Sequence, residues 1–184
     1  MDKVRIGVIV GSLRKDSWNL KLAQAVEKLM PAGFKLEYIR IDDLPLFSQD
    51  LESNYPSAAR RLKQDIEAAD ALLFVTPEYN RSIPGVLKNA IDLASRPYGT
   101  NSFAGKPAAI LGASIGAGGT ALAQQHLRNS LVFVDVQVLA QPEVFIQVKD
   151  GLFAADGGIA IDSTRAFLQK FVDRYVAWIR RFQD

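Results

Sequence analysis

The sequence predicts an α/β fold, a doubly wound, five-stranded parallel sheet with helices on both faces. Three observations carry this. Short apolar runs of strand length recur along the chain. The stretches between them space their apolar residues as helices do. The two kinds of segment alternate from one end to the other, which places the strands parallel and the helices across both faces.

Taken in order, Val4 to Val10 is the first strand, broken only by Arg5 and Gly7. Residues 18–29 form the first helix, with Leu20, Ala23, Val26 and Leu29 or Met30 on one face, ended by Pro31-Ala32-Gly33. Phe34 to Ile41 is the second strand. Asp42 to Pro56 is irregular, with Pro45, Ser48, Asn54 and Pro56. Ser57 is placed as the cap of a second helix that buries Ala58, Leu62, Ile66 and Ala69. Ala71 to Val75 is the third strand, and a strongly apolar third helix runs from Gly85 to Ser95. Ala108 to Ala113 is the fourth strand and Thr120 to Leu131 the fourth helix. Val134 to Leu139 is the fifth strand; Glu143 to Val148 either extends it or forms a short edge strand. Asp162 is placed as the cap of the last helix, which runs to about Arg181 and buries Phe167, Phe171, Tyr175 and Trp178.

Five strands in this length fit the flavodoxin-like order 2-1-3-4-5, in which ligands bind beyond the strand C-terminal ends at the switch point between strands one and three. Residues 1–184 are expected to form one domain. Hydrophobic content of 48% and charged content of 23% are ordinary for a globular protein. No apolar run approaches the ~20 residues that cross a membrane. The N-terminus leads straight into a strand, so no signal peptide is expected. With no cysteine, thiolate catalysis and disulfides are excluded, which fits a cytoplasmic protein. A net charge of +2 gives no reason to expect a nucleic-acid partner. A single histidine, His126, makes a histidine metal cluster impossible. It sits within a helix, where a lone histidine is more often structural than catalytic, and its role is open.

Three polar loops fall on the predicted ligand edge. The first, Gly11-Ser12-Leu13-Arg14-Lys15-Asp16-Ser17-Trp18-Asn19, joins a strand to a helix. A helix N-terminus presents unpaired N–H groups and partial positive charge. Ser12, Ser17, Asn19 and Arg14 add hydroxyl, amide and guanidinium groups, and arginine grips phosphate through paired hydrogen bonds. The loop has one glycine and no Gly-Lys-Ser/Thr ending, so it is neither the dinucleotide fingerprint nor a triphosphate loop. Its side chains suit a terminal monophosphate such as that of FMN. The other reading is an ordinary strand–helix turn with Ser17 as N-cap.

The second loop is Thr76-Pro77-Glu78-Tyr79-Asn80-Arg81-Ser82-Ile83-Pro84. Its proline fixes the backbone, Tyr79 offers an aromatic wall, and Asn80 offers a donor and an acceptor to a uracil-like edge. A rigid turn with Tyr79 merely packed is the alternative. In the third loop, Ser114-Ile115-Gly116-Ala117-Gly118-Gly119, the glycines either let backbone approach a ligand or permit a tight turn.

Gly11-Ser12-Leu13-Arg14-x-x-Ser17-x-Asn19, then Thr76-Pro77-Glu78-Tyr79-Asn80, then Ser82-Ile83-Pro84-Gly85-x-Leu87-Lys88-Asn89-Ala90-Ile91-Asp92, resembles the NADPH-dependent FMN reductase family, which includes bacterial quinone, azo and chromate reductases. The likeness covers about the whole chain. It implies non-covalent FMN and NADPH or NADH as electron donor. Ser12, Arg14, Ser17 and Asn19 would hold the phosphate, with Leu13 and Trp18 beside them. Pro77, Glu78, Tyr79, Asn80 and Arg81 would hold the isoalloxazine, and Ala113 and Ser114 would touch its far side. The place of Arg81 is variable in the family pattern, so its role is open. The resemblance also implies a homodimer or homotetramer with the flavin near a subunit boundary. Gln125 stands where some chromate-reducing relatives carry an aromatic, and Leu122 where some carry a basic residue; both departures bear on the tetramer interface.

The function implied is a flavin oxidoreductase working by ping-pong transfer to quinones, and promiscuously to azo compounds, free flavin or chromate. The flavin carries the chemistry, so no catalytic acid or base is needed. The alternative is a flavodoxin-like electron carrier without turnover of its own; such carriers are usually acidic, and this chain is not. Substrate contacts are assigned to Asn80 and Arg96. Arg96 ends the third helix, about 16 Å from the flavin edge at ~1.5 Å per residue. Ile83, Val86, Leu87, Ala90, Ile91, Leu93 and Ala94 exceed what one sheet face needs, which suggests a subunit interface that brings Arg96 to a partner's flavin. Capping of the helix carbonyls is the other reading of Arg96.

Overall fold

The computed structural model describes residues 3–183. The elements are β1 (Val4–Val10), α1 (Trp18–Glu27), β2 (Phe34–Tyr38), α2 (Ser57–Glu67), β3 (Ala71–Val75), α3 (Gly85–Ala94), β4 (Pro107–Ser114), α4 (Ala121–Phe133), β5 (Gln137–Val138), β6 (Val144–Gln147) and α5 (Asp162–Ile179). A 3₁₀ segment, Gln49–Asn54, lies in the irregular stretch before α2. The sheet runs β2-β1-β3-β4-β5, every pair parallel, with β6 also on β4. This is the expected flavodoxin-like order. No helix among the described residues is long and apolar enough to cross a membrane.

The strand side chains alternate between two cores. Ala71, Leu73 and Val75 of β3 face α1 and α5, where Leu22, Val26, Phe171 and Tyr175 are buried. Leu72 and Phe74 face α2, α3 and α4, where Leu62, Ile66, Leu87, Ile91 and Leu127 are buried. The buried Tyr175 hydroxyl donates to Leu72 O at 2.6 Å, so a polar group inside this core is satisfied.

Several boundaries differ from the sequence expectation for physical reasons. The fifth strand is split, β5 pairing with Pro107 and Ala108 and β6 with Leu111 to Ser114. Pro142 lies between them and has no N–H to give a ladder. β2 stops at Tyr38; Ile39 N still reaches Val8 O at 2.9 Å, after which Ile39 and Ile41 join the core beside α2. Ser57 and Asp162 are first helical residues, not caps; the cap positions are Pro56 and Ile161, neither with a side-chain cap bond. α5 buries Leu168, Phe171, Val172, Tyr175, Val176 and Ile179, leaving Phe167 37% exposed.

The apolar surplus expected on α3 is covered within the chain. Leu87, Ala90, Ile91, Leu93 and Ala94 are buried, with Ile83, Val86, Leu44 and Phe47 packed against the same core. Asn89 holds the 44–47 segment there, accepting from Phe47 N at 2.8 Å and donating to Pro45 O at 2.9 Å.

The β1–β2 pair carries an acid-sensitive contact. Arg5 Nη2 lies 2.7 Å from Glu37 Oε2, and Lys35 Nζ lies 2.8 Å from Glu37 Oε1. The hydrogen bond from Arg5, then that from Lys35, holds the Glu37 carboxyl down from 4.5 to about 2. A folded-state value below the unfolded one stabilises above the unfolded pKa and is lost as pH falls. The window is therefore pH 4.5 down to about 2. The carboxylate side chain is 30% exposed, so the effect is that of a screened surface pair, about 0.2–1 kcal/mol. Denaturant unfolding across that window should show Glu37→Gln with a shallower pH dependence than the parent; parallel curves would contradict it.

Candidate active site

Three loops meet at the C-terminal edge of β1, β3 and β4. After β1 the chain turns into α1 through Gly11 to Ser17. Ser17 is buried and caps the helix, its Oγ accepting from Leu20 N at 3.2 Å. Among the described residues, apart from Ser17 N–H at the close of the Lys15–Asp16 turn, no backbone N–H from Ser12 to Asn19 has an acceptor. These donors converge on the positive end of α1. Arg14 is exposed and joins no ion pair among the described residues.

Asn19 has a different task from its neighbours. Its side chain is 3% exposed and makes a two-way bond with one residue of β4: Nδ2 donates to Ala113 O and Oδ1 accepts from Ala113 N, both at 2.9 Å. The amide's Nδ2 and Oδ1 both join the α1 start to the β4 end.

After β3 the chain makes a tight hairpin. Tyr79 N and Ser82 O, and Ser82 N and Tyr79 O, pair at 2.9 Å. Asn80 at φ 51° and Arg81 at φ 61° both adopt the left-handed region, the geometry of a type I′ turn. α4 holds this hairpin at both ends. The Glu78 carboxylate accepts from Leu122 N at 3.0 Å and Ala123 N at 3.1 Å, capping the α4 N-terminus. One turn on, His126 Nδ1 lies 2.9 Å from Ser82 Oγ. Tyr79 is 46% exposed over the cleft, and the N–H groups of Glu78, Asn80 and Arg81 have no acceptor among the described residues.

After β4, Gly112 lets the β3 loop pass close by: a Cβ there would collide with Thr76 O and Thr120 Oγ1. Ser114 Oγ accepts from Gly116 N at 3.2 Å. Ser12, Arg14, Ser17, Trp18, Asn19, Pro77, Glu78, Tyr79, Ala113 and Ser114 together line one cleft of about 200 Å³. The structure thus brings most of the residues expected from sequence to one place. Leu13 points elsewhere, into a neighbouring cleft with Tyr38 and Arg40. Asn80 and Arg81 sit at the hairpin tip, outside the lining.

Arg96 is remote from this cleft. Its Nε lies 2.6 Å from Glu52 Oε1, in the 3₁₀ segment. It does not cap α3 either; Lys63 Nζ reaches the helix-end carbonyl of Ala94 at 3.2 Å. Sequence reasoning missed Ile115, which completes the lining, and the stretch after β6, which builds an adjoining cleft. Gly151 and Asp156-Gly157-Gly158, turn residues after a strand at the ligand edge, were the available signal.

Comparison with known proteins decides what this arrangement belongs to. The model of the NADPH-dependent FMN reductase family matches residues 4–150. The chain belongs to the NADPH-dependent FMN reductase family. A 2-hydroxy-1,4-benzoquinone reductase of Burkholderia sp is 51% identical over 177 residues, 96% of this chain and 97% of that protein. A quinone reductase of Pseudomonas putida is 47% identical over 176 residues, 95% of this chain and 94% of that protein. Among solved structures, FerB, a flavoenzyme NAD(P)H:(acceptor) oxidoreductase from Paracoccus denitrificans, superposes with a TM-score of 0.93 at 48% identity, covering 97% of this chain and 98% of that one. The family match begins at β1 and includes all three loops of the cleft.

Proposed function

We propose that this chain is an FMN-dependent NAD(P)H oxidoreductase that reduces quinones. The observation that carries the reading is the set of N–H groups between Ser12 and Asn19 that, Ser17 apart, have no acceptor among the described residues, beside the exposed Arg14. That donor set fits a phosphate monoester: backbone donors at a helix N-terminus, hydroxyls at Ser12 and Ser17, and a guanidinium able to bond two oxygens. FMN, when bound, supplies the electron transfer between nicotinamide and acceptor. Ser12, Arg14, Ser17 and the backbone of Trp18 and Asn19 hold the phosphate. In the Pro77 to Arg81 segment, Glu78, Asn80 and Arg81 present backbone donors and Tyr79 its ring, and Ala113, Ser114 and Ile115 close the opposite side. Glu78 and His126 keep the hairpin in place through α4.

Quinones are proposed as acceptors because the relatives above include named quinone reductases. Azo compounds, free flavin and chromate are further acceptors of the same reading. Residues 1–184 are proposed to act as one FMN-binding unit in the cytoplasm, as a homodimer or homotetramer. Phe133, 91% exposed at the end of α4, borders a cleft of about 530 Å³ with Phe47, Ile91 and Arg96, a surface suited to a second copy. There Arg96 reaches a neighbouring flavin only if its pair with Glu52 opens. Light scattering on the purified protein tests the assembly.

The deciding experiment is FMN reconstitution followed by assay of NADPH and NADH oxidation with benzoquinone. A protein that binds no flavin, or that binds it without turnover, would overturn the reading. The kinetics should be ping-pong. The one cleft between the three loops gives donor and acceptor a single ring face to use in turn. Initial-rate plots at varied quinone should be parallel, with quinone competing against NADPH; intersecting lines without competition would contradict this.

A further inference from the structure

A second cleft, beside the flavin cleft, has no part in the roles above. It measures about 610 Å³ and lies between α1 and the segment after β6. Its size is that of a site for a drug-sized or nucleotide-sized ligand, ~300–1,000 Å³. It shares Trp18 and Ile115 with the flavin cleft, so the two adjoin at the start of α1 and the loop after β4.

The walls combine two chemistries. Trp18 and Phe153 lie parallel within 5°, ring centroids 5.9 Å apart, and line the cleft as a planar aromatic wall. Lys21 Nζ lies 4.6 Å from the Trp18 ring centroid, and Lys149 stands on the rim. Neither lysine is in an ion pair among the described residues. Asp150 is the carboxylate on the same rim.

The wall after β6 is also built rather than loose. Phe153 bridges Ile159, Ala154 N bonds Gly158 O at 2.9 Å, and Leu152 is buried. Lys28 Nζ pairs with Asp156 Oδ2 at 3.4 Å, fastening the segment to the end of α1. An aromatic wall flanked by two lysines without a carboxylate partner among the described residues matches a heteroaromatic base carrying phosphate. A quinone, which has no phosphate, would leave the cations unused.

We infer that this cleft binds the adenine-nucleotide half of a dinucleotide whose other half lies in the flavin cleft. The inference rests on the FMN reading of that neighbouring cleft. Two molecules carry the required chemistry: NAD(P)H, whose nicotinamide half would reach the flavin, and FAD in place of FMN, whose adenylate is joined to the flavin phosphate.

The test uses the whole protein and its Lys21→Gln/Lys149→Gln variant, both residues lying outside the FMN-holding set. Calorimetric titration of FMN-loaded protein and of apoprotein with 5′-AMP should show binding, weakened about tenfold in the variant, as for lost charge-assisted phosphate contacts. Apoprotein titrated with FMN should show the same affinity in both. If the source is NAD(P)H, the variant raises KM for NADPH and leaves kcat and the quinone KM unchanged. If it is FAD, parent apoprotein prefers FAD over FMN and the variant loses that preference. The inference is overturned if 5′-AMP does not bind, or binds parent and variant equally, while FMN binds normally. Failure of FMN to bind strikes the proposed function instead, and the 5′-AMP titration of apoprotein still decides the cleft.

Discussion

Asn19→Ala is expected to destabilise the apoprotein by on the order of 2–6 kcal/mol, the sum of leaving a buried donor and a buried acceptor unpaired. The Asn19 side chain is the partner of both Ala113 N and Ala113 O, at 2.9 Å each, in a buried setting. Alanine leaves both groups without a partner in a buried setting. The same change should weaken FMN, because the tie sets the Ser12–Trp18 loop against Ala113-Ser114-Ile115 across the cleft. Asn19→Asp keeps an acceptor for Ala113 N but turns the donor into a second acceptor against Ala113 O, so it should rescue little. Two accounts are separated by apoprotein stability. A side chain that only touched phosphate would leave apoprotein unfolding unchanged and lower FMN affinity alone. Denaturant unfolding of the flavin-free variant at parent stability would therefore refute the structural role.

This residue also shows where sequence reading reaches its limit. β1 and β3 have the bounds that their apolar runs predict, since central strands covered on both faces write their length into composition. The loop residues of the cleft were legible for the opposite reason: polar side chains following a buried strand have few uses other than ligand contact or capping. What the pattern does not hold is pairing across the fold. Asn19 and Ala113 are 94 residues apart, and Glu78 and Leu122, like Glu52 and Arg96, are 44 apart. No local periodicity records such partners, so the sequence assigns Asn19, Glu78 and Arg96 to a ligand while the fold gives their side chains to tying α1 to β4, capping α4 and ion pairing respectively. β5 and β6 escaped for a related reason. Edge segments of two and four residues have too little periodicity to separate one strand from two.

Arg14→Ala is expected to raise the FMN dissociation constant roughly tenfold to a hundredfold, the equivalent of ~1.5–3 kcal/mol for a charge-assisted hydrogen bond. Arg14 is exposed and joins no ion pair among the described residues, so removing it costs the fold nothing visible. Apoprotein stability should stay within about 0.5 kcal/mol of the parent, as for other surface substitutions. Arg14→Lys should fall between the two, since an ammonium keeps the charge and loses the planar fork that bonds two oxygens at once. Riboflavin supplies the sharpest control, for it carries the ring and ribityl chain without the phosphate. If Arg14 acts on phosphate, its loss leaves riboflavin affinity unchanged while FMN weakens, and the gap between the two ligands closes. Fluorescence titration of parent and variant apoproteins with both flavins reads this directly. An unchanged FMN constant, or an equal loss for riboflavin, would take the phosphate contact away from Arg14 and leave it to the N–H groups of the α1 start and to the Ser12 hydroxyl.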